Sequence, residues 1–422
     1  MTTAPVTVLV ATTAIPAHTL NATLPVRGLA QRGARVLWCV PDGYQDHARR
    51  HGATVVAPLP AGATRLAVPA GDGALSGLAA VRGLYRDGLA GPVEQQVEHL
   101  LDLVERHRVD VLLSDTLMFA AGIVAEVAGI RWASFGDGPL ATPDPQVPPL
   151  GTGLPPMAGP AGRHRNRTVR RVADRAVFAP GLAVLNRARQ RHGLWPLPDL
   201  VSAGTSPQLH LQGCAPGFEF ARRWQPPGLR YVGALGPGGG YGAPLPDELR
   251  RRAGEPPLAL VTQGTLRPRA SELVDAACEG LVRHGFRVLV AGSARPGRPH
   301  PRVGWMARVD LAEALRHADL LVTNGGYTTV TLALAAGVGV VQCGATEEKP
   351  DVGARIQHAG VGRAIRCTCP PARLVGQVAH QVWRSPPRRQ ASAELRREFQ
   401  ALDAERLAAE AIEQLAGQRG VR

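Results

Sequence analysis

The sequence predicts an α/β protein built as two parallel-sheet halves that face each other across a cleft. Three observations lead there. Short apolar runs alternate with helical patterns from residue 6 to residue 136. The same alternation restarts at Leu258, and a stretch rich in glycine and proline separates the two series. Strands alternating with helices argue a parallel sheet with helical crossovers. The expected organisation is a first half at 1–235, a linker at 236–257, a second half at 258–395 and a terminal helical segment at 396–422. Ligands of open sheets of this kind lie beyond the carboxyl ends of the strands. The polar residues that follow each apolar run are therefore the functional candidates.

The elements follow in order. "VTVLVA" (6–11) reads as a first strand, then a helical stretch to Arg32, Gly33 as a stop, and a strand in "ARVLWCV" (34–40). "VERHRVDVLLSD" closes a helix and runs through a buried strand into Asp115, "FAAGIVAEVAGI" is the next helix and "RWASFG" the next strand. Residues 139–162 read as a long surface loop, and "GLRYVGAL" (228–235) as the final strand of the first half. The linker is not a dinucleotide-binding G-x-G-x-x-G, because Tyr241 stands where the last glycine would be and prolines flank it. In the second half the strands are "LALVTQGT" (258–265), "FRVLVAG" (286–292), "DLLVTN" (319–324) and "GVVQCG", with helices at 270–284, 310–317, 327–336 and 350–359. The amphipathic end "ELRREFQALDAERLAAEAIEQLA" closes the chain.

Composition narrows the function. The chain has 422 residues, enough for two or three cores, with 45% hydrophobic and 19% charged residues. No apolar run is long enough to span a bilayer. The N-terminal stretch lacks a basic segment ahead of its apolar run, so a cytoplasmic location is expected. The net charge of +14 is spread over scattered arginines with few aromatic neighbours, which argues against nucleic acid as a partner. The densest run, "RHRNRTVRRVADR" (163–175), leaves a weak peripheral contact with anionic lipid open, beside the simpler reading of a solvated helix face. The six cysteines are scattered and lack metal-ligand spacing, so they read as buried thiols.

The strand ends carry the chemistry. In the second half Thr265, Asn324, Gly325, Gly326, Thr328 and Thr329 follow apolar strands. The glycine pair lets backbone approach a ligand, and the helix that starts near Tyr327 offers free N–H groups and a positive dipole end to an anion such as a diphosphate. A turn and helix cap alone would need only Asn324 and one glycine. Glu347, Glu348 and Lys349 follow the next strand, and Lys349 is the only lysine in a chain that otherwise uses arginine. A carboxylate and a compact ammonium there can bind sugar hydroxyls. In the first half, His18 follows the first strand and Asp115 another. A histidine oriented by a carboxylate is a general base near neutral pH.

These residues match a known family. "TTAIPAHTLNATLPVRGLAQRGARV" is similar to the P-x-x-G-H-x-x-P-x-L-x-x-A-x-x-L-x-x-R-G-H-x-V opening of the family 1 GT-B glycosyltransferases, and "DVLLSDTLMFAAGIVAEVAGIRWASF" resembles the segment that supplies the histidine's aspartate partner. "LVTNGGYTTVTLALAAGVGVVQCGATEEKPDVGARIQHAGVG" resembles the family's donor signature. The likeness runs from about residue 5 to the C-terminus and is nearest to actinobacterial enzymes that glycosylate macrolides and other natural products.

The resemblance implies two Rossmann-like domains, the first for an acceptor and the second for a nucleotide sugar, with the last helix crossing back onto the first. It implies His18 as base, Asp115 as its partner, Thr329 at the phosphates, Thr265 as the residue ending the strand-G-S/T turn, Glu348 and Lys349 at the sugar hydroxyls, and Trp305 beneath the uracil. Asn324 stands for the signature's usual histidine and Lys349 for its glutamine. The implied reaction is inverting, metal-independent transfer of a hexose from a nucleoside-diphosphate sugar, UDP-linked, to a hydroxyl of a hydrophobic small molecule. The nucleotide sugar is a co-substrate and no cofactor is implied. Two alternatives stay open: a sugar-nucleotide epimerase on the same fold, and a non-catalytic auxiliary protein of a glycosyltransferase.

Overall fold

The computed structural model describes residues 5–60, 78–252, 254–264, 272–292 and 295–418. Two parallel sheets carry the fold. The first comprises β1 (Thr7–Ala11), β2 (Arg35–Cys39), β3 (Thr54–Val55), β4 (Val111–Asp115), β5 (Arg131–Gly136), β6 (Leu209–Gln212) and β7 (Leu229–Tyr231), in the order β3-β2-β1-β4-β5-β6-β7. The second comprises β8 (Leu258–Thr262), β9 (Arg287–Ala291), β10 (Val303–Met306), β11 (Leu320–Thr323), β12 (Gly339–Cys343) and β13 (Gly362–Ile365), in the order β10-β9-β8-β11-β12-β13. The central strands are almost wholly apolar because helices cover both faces of each sheet. All five residues of β1 are buried, and full burial of each large aliphatic side chain is worth about 1.5–3 kcal/mol.

Each sheet reverses its strand order once, between β1 and β4 in the first and between β8 and β11 in the second. That reversal opens a crevice at the carboxyl ends of those strands. Parallel pairing sets Ala11 beside Ser114 and Thr323 beside Thr262, so the loops leaving each pair emerge side by side.

Helix Pro386–Gln400 packs on helix Tyr327–Ala336, and helix Ala404–Gly417 packs on helix Thr23–Gln31 of the first half. Asp403 caps the last helix, its carboxylate accepting the Arg406 N–H at 3.1 Å. Gly28 makes the close approach possible, since a Cβ there would lie 2.2 Å from the Glu405 carbonyl oxygen. Arg27 pairs with Glu405 beside it, and Ala408, Ala409 and Ile412 complete the first half's core.

Some expectations change. The segment 139–162 is not a free surface loop: Leu140, Asp144, Val147 and Gly153 are buried, and the helix Gly159–Ala173 begins within it. It is covered because it lies against the second half, where Asp351 accepts the N–H groups of Gly151 (2.5 Å) and Gly153 (2.9 Å). Cys214, Ala215 and Phe218, ahead of the linker, pack in the core of the second half. The arginine-rich run is helical. Two of its guanidinium groups are turned back to chain carbonyls, Arg165 to Pro155 and Arg170 to Asp144. Among the described residues no helix is long and apolar enough to cross a membrane. Cys39, Cys214, Cys278 and Cys343 are buried free thiols.

Candidate active site

His18 sits on the short helix Pro16–Asn21 that follows β1. Pro16 supplies the fixed φ of a first helical residue and lacks only an N–H that would have no helical partner. Asp115 is the last residue of β4 and fully buried. Its carboxylate accepts the N–H of Thr13 (2.5 Å), the Thr13 hydroxyl (2.9 Å) and the N–H of Leu117 (2.9 Å). His18 Nδ1 lies 2.9 Å from Asp115 Oδ1, so an Nδ1–H donates to the carboxylate and turns Nε2 outward. No described residue takes Nε2 as a partner, and the side chain keeps 15% of its surface exposed. Burial disfavours charge on His18, but Asp137 and Asp115 outweigh it and hold the imidazole well above the ordinary histidine range. Burial likewise pushes the Asp115 carboxyl up, and His18 with the Thr13 and Leu117 N–H groups brings it below the usual carboxylate range.

Asp137 was not among the sequence candidates, although it directly follows "RWASFG" and so satisfies the strand-end criterion that singled out Asp115. Its Oδ2 is 3.0 Å from His18 Nδ1. Asn21, buried on the same helix as His18, donates to Thr328 Oγ1 at 2.8 Å and lies 3.4 Å from Asp137 Oδ2. This contact joins the two halves at the crevice.

The donor-side candidates gather at the second reversal. Gly325 has φ +102, and a Cβ there would be 2.6 Å from the Gln342 side chain. Gly264 has φ +81 and lies against the Asn324 amide. Asn324 is buried, and its Oδ1 accepts the N–H of Gly326 at 3.3 Å. Gly326 precedes the helix Tyr327–Ala336, whose first turn carries Thr328 and Thr329, both half-buried. Gln342, on β12, braces this loop by donating to the carbonyls of Asn324 (3.1 Å) and Gly344 (2.9 Å). Thr265 lies outside the described residues. Trp305 is on the edge strand β10, separated from β11 by β9 and β8, with its indole N–H donated to the Gly292 carbonyl at 3.0 Å. It stands apart from the Asn324 loop.

Lys349 is not a surface charge. It begins the helix Lys349–His358 and is 5% exposed, with its ammonium paired to Glu347. Glu347 adopts φ 52, left-handed backbone unusual outside glycine, which folds its carboxylate toward that ammonium. Glu348 occupies the N-cap position and is half-buried. Tyr85 of the first half is near enough to feel it: burial raises the phenol, and the charges of Glu348 and Asp351 help bring it to about 12.

Behind the crevice lies a second polar contact between the halves. Gln212 donates to Tyr327 Oη at 3.0 Å, and Tyr327 donates to Glu219 at 3.2 Å. Arg355 binds Glu219 through Nε at 2.9 Å and Nη2 at 2.8 Å, and its guanidinium stacks 4.4 Å from the Phe220 ring. Among the described residues no group of three or more His, Cys, Asp and Glu side chains is arranged to hold a metal ion.

No protein-family model matches the sequence. The chain is 32% identical to 4'-demethylrebeccamycin synthase of Lentzea aerocolonigenes over 415 residues, covering 94% of this chain and 96% of that protein. It is 32% identical to UDP-glycosyltransferase 2 of Phaeomoniella chlamydospora over 336 residues, covering 75% of this chain and 73% of that one. Among solved structures, the glycotransferase of kitacinnamycin superimposes with a TM-score of 0.76 at 18% identity, covering 98% of this chain and 100% of that chain. At that identity the superposition speaks to the fold.

Proposed function

The chain belongs to the family 1 GT-B glycosyltransferases of natural-product type, and from that premise we propose that it moves a hexose from a nucleoside-diphosphate sugar, UDP-linked, to a hydroxyl of an apolar small molecule, inverting the anomeric centre without a metal ion. One observation carries this reading: beyond the carboxyl ends of β1 and β4, His18 is held by Asp115 through Nδ1 while its Nε2 has no partner among the described residues.

In the proposed step the acceptor hydroxyl gives its proton to His18 Nε2. Its oxygen forms a bond to the anomeric carbon from the face opposite the diphosphate, and the carbon–oxygen bond to the diphosphate breaks with its electron pair leaving on the phosphate oxygen. One displacement of this kind inverts the centre. Asp115 fixes the tautomer that leaves Nε2 unprotonated and stabilises the imidazolium formed. The N–H groups at Gly326 and in the first turn after it, with the Thr329 hydroxyl, would receive the growing negative charge. Thr328 already shares its hydroxyl with Asn21, which favours Thr329 for that role. Glu348 and Lys349 would hold sugar hydroxyls, with Glu347 orienting the ammonium.

A thermal-shift panel of nucleotide sugars tests the donor. A true donor at 100 times its Kd adds about 2.7 kcal/mol of stability, and a UDP-sugar should stand out. The anomeric configuration of the product, read by NMR coupling constants, tests the mechanism. Retention would overturn the single displacement, and a panel in which no nucleotide sugar stabilises the protein would overturn the donor assignment.

A further inference from the structure

The reaction as described needs one carboxylate on His18, and the structure places two there. Nδ1 is 2.9 Å from Asp115 Oδ1 and 3.0 Å from Asp137 Oδ2. A single N–H cannot serve both fully. The two acceptors differ in what else they receive. Asp115 takes two backbone N–H groups and a hydroxyl. Asp137, 4% exposed, has beyond His18 only the 3.4 Å contact from Asn21 among the described residues. Its charge is balanced chiefly by His18.

Asn21 extends the arrangement to the other half. Its amide is shared between Asp137 and Thr328, at the start of the helix whose N-terminus faces the crevice. Asn21 stands where the H-x-x-P motif has its proline, a residue with no side-chain donor. The bond from base to donor helix is thus built from this chain's own residues.

We propose that Asp137 is a second positioning residue for His18: it shares the Nδ1 proton with Asp115, sets how readily the ring releases its other proton, and is aligned with the donor helix through Asn21. This rests on the reading of His18 as the base. The charged groups that face His18 are Asp115 at the end of β4 and Asp137 after β5. Its own helix, Pro16–Asn21, carries no other charge, and neither does the helix Tyr327–Ala336.

Two carboxylates favour the imidazolium, which has no lone pair for the acceptor's proton. The base becomes competent only as pH rises through a pKa above the ordinary histidine range. The same pair makes the ring hold the abstracted proton firmly once it has taken it.

The test uses the full chain, the donor that the thermal-shift panel selects and a turned-over acceptor. kcat/KM is followed from mildly acidic to alkaline pH for the parent, Asp137→Asn and Asp137→Ser. In parallel the His18 ring is titrated by NMR on histidine-labelled protein and assigned by its loss in His18→Gln. The expected result is that both Asp137 variants move the acidic limb of the profile toward lower pH by at least about one unit, with the ring titration moving in step. A rate loss uniform across pH with the limb in place would make Asp137 a structural prop and overturn the proposal. If neither variant folds, the ring is titrated in Asp115→Asn instead: a His18 still held above the ordinary range upholds the second carboxylate, and one that falls into the ordinary range overturns it. Should His18→Ala keep its transfer rate, the base assignment itself fails. Should that variant be inactive while Asp137→Asn leaves the limb unmoved, only the role of Asp137 is lost.

Discussion

His18 and Arg355 are both basic side chains set against carboxylates near the meeting of the two halves, the first half-buried and the second buried, yet they are built to different ends. Arg355 gives Nε and Nη2 to Glu219 and Nη1 to the Asp351 carbonyl, and Phe220 stacks on its face. Glu219 in turn accepts Tyr327 and the Leu140 N–H. Little hydrogen-bonding capacity is left over, and the pair is 4% and 1% exposed. His18 uses one ring nitrogen on two carboxylates and keeps the other open. A cluster with its valences consumed can orient domains, whereas one with a spare nitrogen at a crevice can exchange a proton. The difference teaches that burial and charge alone do not mark a catalytic group. The unspent atom does.

The largest effect should come from the closed cluster. Arg355→Met leaves the Glu219 carboxylate buried without its cation and should cost about 3–5 kcal/mol in denaturant unfolding. A loss under about 1 kcal/mol, the scale of an exposed pair, would mean that water reaches the junction. Asp115→Asn should act on rate. An amide cannot hold the imidazole in the same tautomer, and kcat should fall by about 10²-fold or more. A variant at the parent rate would make Asp115 a folding residue like Glu219.

Lys349→Arg should have the smallest effect of the three. The ammonium is 5% exposed, and a Cβ on Gly344 would come within 3.0 Å of the lysine stem. A longer planar guanidinium has little room to reach the sugar hydroxyl proposed for Lys349. Loss of one charge-assisted hydrogen bond would lower kcat/KM roughly ten- to hundred-fold, about 1.5–3 kcal/mol, while free UDP binds as before. An unchanged kcat/KM would assign Lys349 to Glu347 alone.

The sequence carried much of this and missed parts of it for physical reasons. The helix Tyr327–Ala336 was legible because a glycine pair precedes it and Gly337, at φ 79, ends it. The His18–Asp115 pair was legible because both follow continuous apolar strands. β6, "LHLQ", was hidden because two of its four buried residues are polar, His210 and Gln212, and look like loop. β3 has two residues and no period to read. Contacts between the halves were out of reach: Asn21 and Thr328 are separated by 307 positions, and Glu219 and Arg355 by 136. Nothing local announces such pairs. The lone lysine was conspicuous by residue choice, but its pairing depends on a left-handed Glu347 that no local pattern predicts.

His18→Ala, assayed for both turnover and donor binding, is the most direct measurement. The proposed base follows a strand of the first sheet and the proposed diphosphate site follows one of the second, so the two properties should separate. kcat should fall by about 10²-fold or more, while calorimetry gives a nucleotide-sugar affinity close to the parent's. Transfer at the parent rate, or loss of rate and nucleotide binding together, would contradict the division between an open cluster that moves protons and a separate helix N-terminus that holds the donor.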